Sequence, residues 1–508
     1  MTGFTWLDYG IVIVYILIVT TVGSLFARGQ KTSTDFFLAG RSIWWLPMSL
    51  SIIATDFSAI SFLGTPGFVV SNNLLLEPHA LVFIWVLPLA FFLFVRFFHR
   101  LKLITAYEYL EKRFNLPLRT ICSLLFIAIR LCWMATAIYA TSLALTQVMD
   151  LPFWVCAMMI GMVTALYSSM GGMKGVIWTD VTQFFIFVSA IIIVLIKTIT
   201  SVPGGASEIF QTAQNAGRTQ IVNFSGGFSE FTTPAIMIGG TFLVLISYGV
   251  DQVVLQRYLS ARSLAEIKRG MLFQACFSPP MVFSLAIIGL AIFGYYSHFP
   301  SRLPEGLAPD KWFPHFIANE LPTGISGIVI AGLLAATMSS VSSGVNSISA
   351  ACVVDFYRRF FGSPEANVVS GKSLGAAALV NPQDRKELML SRVLTLFWGS
   401  VATFLAFVVG KIGLIAVIAK TLSGFFGGVL LGVFLAGMIL SRANGAGALL
   451  GGLVGFATIM MVGLTTSVNI YWYAPIGCSV TFVCTAVFSL LFSRPPVEKR
   501  AGLTLGSP

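Results

Sequence analysis

Long apolar runs separated by short polar loops constrain this chain more than any other feature of its sequence. There are thirteen such runs, and most are near or above the roughly 20 residues that a helix needs to cross a bilayer. Backbone groups in the hydrocarbon core must be paired within the protein, so these runs fold as helices. The sequence therefore predicts an all-α polytopic membrane protein with about 13 transmembrane helices. The runs cover residues 7–26, 43–70, 77–98, 120–148, 152–170, 177–198, 236–256, 271–297, 324–353, 391–410, 412–440, 445–463 and 473–493.

The composition excludes several other classes of protein. Hydrophobic residues make up 56% of the 508 residues and charged residues 10%, so there is no room for a large soluble domain. The seven cysteines all lie in apolar runs, and their odd count argues against a disulfide framework. The sequence lacks an HExxH motif, a Walker glycine loop and a GxSxG motif in a strand context. We therefore expect a membrane protein that is not an enzyme.

The distribution of basic residues predicts the orientation in the membrane. If the N-terminus lies outside, 24 of the 31 lysine and arginine residues fall in inner loops or the C-terminal tail. Inner loops of membrane proteins carry such an excess, so we expect the N-terminus outside and the C-terminus in the cytoplasm. The net charge of +11 is then a topology signal, and nucleic acid is not an expected partner. The outer segments hold Lys197, Arg218, Arg302, Lys311 and Lys411.

Two of the runs carry a carboxylate and helix-weakening residues at membrane depth. The run at 43–70 contains Asp56 followed by Gly-Thr-Pro-Gly, and the run at 236–256 contains Tyr-Gly-Val-Asp ending at Asp251. Interrupted helices at corresponding positions of two halves are typical of inverted-repeat transporters with a binding site at the midplane. We therefore expect one transmembrane domain over 1–508 that contains two inverted repeats, each beginning with a discontinuous helix. The expected parts are a peripheral helix at 7–26, repeats at 43–198 and 236–440, two peripheral helices at 445–493 and a cytoplasmic tail at 494–508.

A stripe of serines marks the ninth run. Ser339, Ser342, Ser343 and Ser347 are spaced i, i+3, i+4 and i+8 on one helix face, with Ser340 at its edge. Hydroxyl oxygens are ligands that a hard cation such as sodium prefers, and carbonyls freed by a broken helix would add to them. The alternative interpretation is a small-residue face for helix packing.

Ionisable residues inside a membrane are costly and are therefore functional candidates. Asp56 has no basic residue within a turn, so it either balances a bound cation or caps the broken backbone. Asp180 lies toward the cytoplasmic end of its run, and Asp251 is positioned to cap the second break. Arg130, at mid-run, either holds a substrate carboxylate bidentately or neutralises a neighbouring acid.

Several sequence stretches resemble the sodium:solute symporter family over nearly the whole chain. This resemblance implies a leucine-transporter-like 5+5 inverted-repeat fold and sodium-coupled uptake by alternating access. The matching stretches are Asp-Phe-Phe-Leu-Ala-Gly-Arg at 35–41, Ala-Tyr-Glu-Tyr-Leu-Glu-Lys-Arg-Phe at 106–114, Gly-Gly-Met-Lys-Gly-Val-Ile-Trp-Thr-Asp at 171–180, Gln-Arg-Tyr-Leu at 256–259, and the serines of the ninth run.

The resemblance also implies two sodium sites. The second is found in the sialic-acid branch and uses an Asp on the sixth span with further serines of the ninth, so the expected cofactor is one or two coupling Na⁺ ions. The first site would match the carbonyls of Ala54 and Phe57 together with Ala336, Ser339 and Ser340, and the second would match Asp180, Ser342 and Ser343, with Ser339 also in reach.

No branch of the family matches the substrate positions throughout. Ser61, Val244 and Ser247 stand where the galactose symporter has Gln, Asn and Tyr, and Trp133 stands where the sialic-acid branch has an Arg. The proline symporter shares Asp56 but not a nearby Trp. The candidate substrate contacts are Asp56, Ser58, Ser61, Arg130, Trp133, Tyr248 and Gln252.

We therefore expect a plasma-membrane symporter, in the inner membrane if bacterial, that imports a small polar organic solute with two sodium ions per cycle. Organic anions such as sialic acid or a monocarboxylate are the favoured substrates, and a sugar, a polyol or an amino acid such as proline is the alternative. A substrate-sensing or channel-like membrane protein is the alternative of another class. The expected partners are the substrate and the lipid bilayer, with no obligate protein partner.

Overall fold

The computed structural model describes residues 4–361, 382–409 and 415–505, and this part of the chain is helical without β-strands. The boundary that we predicted near residue 412 lies outside the described residues. In chain order the helices are α1 Trp6–Leu25, α2 Ser33–Leu38, α3 Trp45–Asp56, α4 Ala59–Ser71, α5 His79–Ala90, α6 Arg96–Leu101, α7 Tyr107–Arg113, α8 Leu116–Met149, α9 Phe153–Ser201, α10 Gly205–Asn215, α11 Thr233–Leu245, α12 Gln252–Leu259, α13 Leu264–His298, α14 Trp312–Asn319, α15 Ile325–Ala351, α16 Arg358–Phe361, α17 Pro382–Val409, α18 Ile415–Ile439, α19 Gly445–Thr465 and α20 Tyr473–Phe488.

The all-α architecture is confirmed, but the count of thirteen spans is not. Within the described residues, ten helical segments are long and apolar enough to cross a membrane, or eleven if the bent pair α3–α4 counts as one span. Part of the difference is α9, in which two predicted runs form one continuous helical segment of 49 residues. A straight helix of that length would be about 74 Å long, more than twice the hydrocarbon core. The backbone of α9 leaves the helical region at Gly172, with φ 56° and ψ −159°.

Both predicted helix breaks are present. The chain bends by 53° between α3 and α4, and the residues at the bend are Phe57 and Ser58. In the second case a π-helical turn at Ile246–Val250 ends α11, and Asp251 begins α12 as its N-cap. The Asp251 side chain accepts a hydrogen bond from the backbone N–H of Val253 at 2.8 Å, so its predicted capping role is confirmed.

Helix α15, which carries the serine stripe, lies at the centre of the bundle. Nearly all of its side chains are buried, and it packs against α1, α3, α8 and α9. Helix α1 also holds the beginning of α15: one carboxylate oxygen of Asp8 accepts from the backbone N–H groups of Gly324 and Gly327, each at 2.8 Å. These N–H groups have no partner within the helix, so a carboxylate there stabilises its N-terminus.

Helices α1 and α9 approach each other closely at Gly23 and Gly171. This contact leads to the first prediction. An added Cβ at Gly171 would lie 2.2 Å from the carbonyl oxygen of Gly23. We expect Gly171→Ala to lower the free energy of unfolding by about 1–3 kcal/mol, because α1 and α9 must move apart. Gly10→Ala is the matched control, since nothing lies within 4 Å of its added Cβ. Thermal unfolding of both purified variants tests this, and equal midpoints would contradict it.

Candidate functional site

Serine hydroxyls of α15 meet the carbonyl oxygens at the broken end of α3. Ser339 donates to the carbonyl of Ala54 at 2.8 Å, and Ser340 donates to the carbonyl of Thr55 at 3.0 Å. Both hydroxyls are also within hydrogen-bond distance of the Ala336 carbonyl, at 3.1 and 3.2 Å. The structure thus brings together four of the five residues predicted for the first sodium site. A hard cation could replace these hydrogen bonds with contacts to the same oxygens.

Phe57, the fifth residue of that set, lies at the bend itself. Its backbone N–H still bonds to the carbonyl of Ile53, and its φ and ψ of −87° and 80° end the helix there. Its ring is buried and packs against Phe187 of α9 at 6.4 Å between centroids.

The predicted second site is occupied by an arginine side chain. Arg257 of α12 and Asp180 of α9 are both fully buried and form an ion pair at 2.8 Å. Arg257 also donates to the hydroxyls of Ser51 and Thr55, at 2.7 and 2.8 Å, and to Ser343. Its guanidinium therefore joins α12 to α3, α9 and α15 through oxygens that a second cation would need.

This arrangement corrects two sequence-based interpretations. Asp180, which the sequence places toward the cytoplasmic end of its run, is not at the protein surface: it is 0% exposed and its other oxygen is 3.4 Å from the Ser342 hydroxyl. Arg257 is a buried residue of the bundle and not one of the inner-loop charges. A buried charge is stable only when it is paired and hydrogen-bonded, and these two residues satisfy that requirement for each other.

Asp56 lies at the last position of α3, facing the second break. Its carboxylate accepts a hydrogen bond from the Tyr248 hydroxyl, which comes from the π-helical turn. Asp56 retains partial exposure, and it has no ion-pair partner among the described residues. The neighbouring Ser58 hydroxyl is buried and has no hydrogen-bond partner within the described part of the chain. Two of the predicted substrate residues, Asp56 and Tyr248, are therefore in direct contact across the two breaks.

Arg130 of α8 pairs with Asp251, as the alternative of a neighbouring acid predicts, and its role toward a substrate stays a prediction. The two side chains are 16% and 18% exposed, so this ion pair is not sealed inside the bundle. Trp133, one turn further along α8, is half-buried, and so is Ser61 on α4. Next to Ser61, an added Cβ at Gly64 would meet no atom within 4 Å, which indicates open space on that face of α4.

Gln252 does not fit the predicted substrate role. Its side chain is fully buried, its amide oxygen accepts from the backbone N–H of Ala106 at 2.9 Å, and its amide nitrogen donates to the carbonyl of Ile104 at 3.0 Å. Both polar groups are used by the loop before α7, so Gln252 ties that loop to α12.

The residues that sequence reasoning missed are Arg257, Thr55 and Ser51. The sequence pointed to Arg257 only as part of the Gln-Arg-Tyr-Leu stretch at 256–259, in a segment that follows a helix break. One sequence feature could have identified Arg257 as a buried residue: it is a charged residue beside bulky side chains, directly after the apolar run at 236–256. Such a residue in a buried segment predicts an ion pair, although its partner is 77 residues away along the chain.

A family model, related sequences and a solved structure all relate this chain to sodium-coupled symporters. A model described as the sodium:solute symporter family matches residues 36–455. The chain is 30% identical over 495 residues to the sodium/sialic acid symporter NanT of Aliivibrio fischeri, covering 97% of this chain and 94% of that protein. It is 31% identical over 464 residues to sodium-coupled monocarboxylate transporter 1 of Homo sapiens, covering 90% and 73%. A solved structure of a Na⁺-coupled sialic acid symporter, substrate-bound and outward-open, superimposes with a TM-score of 0.88 at 29% identity, covering 97% of this chain and 99% of that chain.

Proposed function

Because this chain belongs to the sodium:solute symporter family, we propose that it imports a small organic anion with two sodium ions per cycle. The coarser part of this statement is established: the chain is a multi-pass, sodium-coupled membrane transporter and not an enzyme. The substrate class, the number of ions and the residues that bind them are the proposal.

The observation that carries the proposal is the contact between the serines of α15 and the broken helix α3–α4. Ser339 and Ser340 lie within hydrogen-bond distance of carbonyls beside the 53° bend, where several oxygens converge. A packing face of small residues would need neither the bend nor the convergent carbonyls. We assign the first sodium ion to Ala54, Phe57, Ala336, Ser339 and Ser340.

Arg130 supports an anionic substrate. It is a partly exposed guanidinium beside the second break, and a substrate carboxylate would compete with Asp251 for its planar pair of donors. The relatives described above transport sialic acid and monocarboxylates according to their names, and both are organic anions. Trp133 and Ser61 would contact the uncharged part of the substrate.

One observation favours the alternative of an amino acid such as proline. Asp56 has no ion-pair partner among the described residues and is partly exposed, so it would suit a substrate ammonium group. An amino acid would then lie with its ammonium at Asp56 and its carboxylate at Arg130.

The second sodium ion is proposed at Asp180, Ser342 and Ser343. Because Arg257 holds Asp180 and Ser343 in this structure, the ion would bind only when the guanidinium withdraws. The solved structure of the sialic acid symporter reveals a novel Na⁺ site in that protein, which is consistent with more than one ion in this fold.

The membrane architecture is part of the same proposal. We assign the first inverted repeat to 43–198 and the second to 236–440, each beginning with one of the two broken helices. The N-terminus would lie outside and the segment after α20 in the cytoplasm, as the distribution of lysine and arginine predicts.

Uptake into proteoliposomes tests the function directly. With an inward sodium gradient, we expect accumulation of labelled N-acetylneuraminic acid or of a monocarboxylate above its external concentration, and no accumulation with potassium or choline in place of sodium. A channel-like or sensing protein would only equilibrate the solute. If neither anion accumulates but proline does, the amino-acid alternative is correct.

The break residues give the second prediction. We expect Asp56→Asn to reduce sodium-driven uptake at least about tenfold, because it removes a negative charge at the broken end of α3 that no ion-pair partner among the described residues neutralises. Asp251→Asn is the comparison: asparagine is as good an N-cap as aspartate, and Arg130, the partly exposed ion-pair partner of Asp251, stays available to a substrate carboxylate, so we expect a smaller loss. Initial uptake rates at equal amounts of inserted protein measure both. A larger loss in the Asp251 variant would reverse this ranking.

A further inference from the structure

The segment that follows α20 is packed into the bundle, although its sequence predicts only a tail. It contains a short 3₁₀ turn at Val497–Lys499 and then runs along α6, α7 and the end of α18. Leu503 is 8% exposed and Thr504 is 4% exposed, and Leu503 belongs to the main hydrophobic core. A leucine buried to this extent stabilises the position of its segment.

Two side chains from the bundle hold the backbone of this segment. Arg100 of α6 donates to the carbonyl of Gly502 at 2.9 Å, and Tyr109 of α7 donates to the carbonyl of Leu503 at 3.1 Å. Gly502 has φ +68°, a conformation that glycine adopts without strain, and this turn aims the Leu503 side chain into the core.

The segment also bonds to the end of α18 and to the end of α7. The backbone N–H of Leu505 donates to the carbonyl of Met438 at 2.8 Å, and the Lys499 ammonium donates to the carbonyl of Phe114. Residues 499–505 therefore connect α6, α7 and α18, three elements that are separate in the sequence.

Helix α7 and the loop before it are in turn bonded to the elements that form the site. Gln252 ties this loop to α12, as described above. The Thr105 hydroxyl donates to Asp355 at 2.7 Å, and Asp355, beyond the end of α15, pairs with Arg119 of α8 at 2.6 Å. An opening of the site at this end would separate the loop before α7 from α12 and from the segment after α15, and α7 would move with that loop.

We propose that residues 499–505 are an intramolecular strap that holds α7 against α18 and so restrains opening of the site at this end. The end in question is the cytoplasmic one in the proposed orientation. The strap adds its contacts to the closed arrangement only, so removing them shifts the equilibrium toward the open one.

Hydrogen–deuterium exchange on the full-length protein in lipid nanodiscs tests the strap, and it needs neither substrate nor sodium. In Leu503→Ser, we expect amide exchange of residues 103–113 and of α12 to be about tenfold faster than in the wild type. Tyr109→Phe removes one hydrogen bond without exposing apolar surface, and we expect a smaller acceleration of the same peptides. Leu505→Ser is the matched control, because Leu505 is 41% exposed and bonds through its backbone only.

The location of the peptides whose amide exchange becomes faster decides whether the strap exists. If exchange rises only in residues 494–505 and 437–444, or if Leu505→Ser accelerates exchange as much as Leu503→Ser, the strap is refuted. Tyr109→Phe still decides the question if Leu503→Ser fails to fold. Because the experiment is done with potassium as the only cation as well as with sodium, its failure leaves the proposed sodium-coupled uptake untouched.

Discussion

Replacing Ser339 or Ser340 by alanine is expected to raise the sodium concentration for half-maximal uptake at least about tenfold. Each change removes an oxygen that would contact the first sodium ion. A polar contact to a charged group contributes roughly 1.5–3 kcal/mol, and every 1.4 kcal/mol corresponds to about a factor of ten in affinity. The measurement is initial uptake against sodium concentration in proteoliposomes.

Ser349→Ala is the control for this prediction. Ser349 lies on the same helix and is equally buried, but its hydroxyl bonds to the carbonyl of Val345 and to Thr395 of α17, away from the helix break. We expect its sodium dependence to match the wild type. If both site variants show wild-type sodium dependence, the serines serve helix packing alone, since alanine preserves a small-residue interface.

The second large effect concerns Asp180 and Arg257. Removing one partner of a buried ion pair costs about 3–5 kcal/mol, so Asp180→Asn and Arg257→Met should each be markedly less stable than the wild type. The double variant leaves no unpaired charge and should recover much of that stability. Thermal unfolding of the three variants shows whether the pair behaves in this way.

The number of sodium ions transported per substrate shows whether Asp180 and Arg257 serve only as a structural ion pair or whether Asp180 also belongs to a second sodium site. We expect two sodium ions per substrate in the wild type and one in the double variant, measured from reversal potentials at several sodium gradients. One ion gains about 2.3 kcal/mol per 100 mV, which supports roughly fifty-fold accumulation of a neutral solute, and two ions support roughly two-thousand-fold. A ratio of one in the wild type, or an unchanged ratio in the double variant, would remove Asp180, Ser342 and Ser343 from the proposed site.

Much of the fold was predictable because a bilayer permits few kinds of backbone structure to cross it. Apolar runs of membrane-spanning length must be helical, and a break in such a helix is tolerated only where protein or a water-filled cavity covers the freed backbone groups. The breaks at Phe57 and Asp251 confirm that both runs are interrupted, although Gly64 and Pro66 lie inside α4 and not at its break. The number of spans was less predictable, since the two predicted runs of α9 are joined through Gly172, whose backbone is not helical, without an intervening loop.

The partners of the buried charges were not predictable. Asp180 and Arg257 are 77 residues apart in the chain, and Arg130 and Asp251 are 121 apart. A charge at membrane depth needs a partner, but its local sequence does not specify which of several acids or bases the fold brings near. For the same reason the role of Gln252 changed from a substrate contact to a tie between α12 and the loop before α7.

The sequence by itself determined that this protein is a helical membrane protein with two interrupted helices and a face of hydroxyl groups, because hydropathy and helix periodicity act over neighbouring residues. Only the tertiary structure decided that Arg257 fills the predicted second cation site and that the segment after α20 is part of the bundle. These features depend on contacts between elements far apart in the chain. Their stability comes from pairing charges and burying apolar surface after the helices have packed.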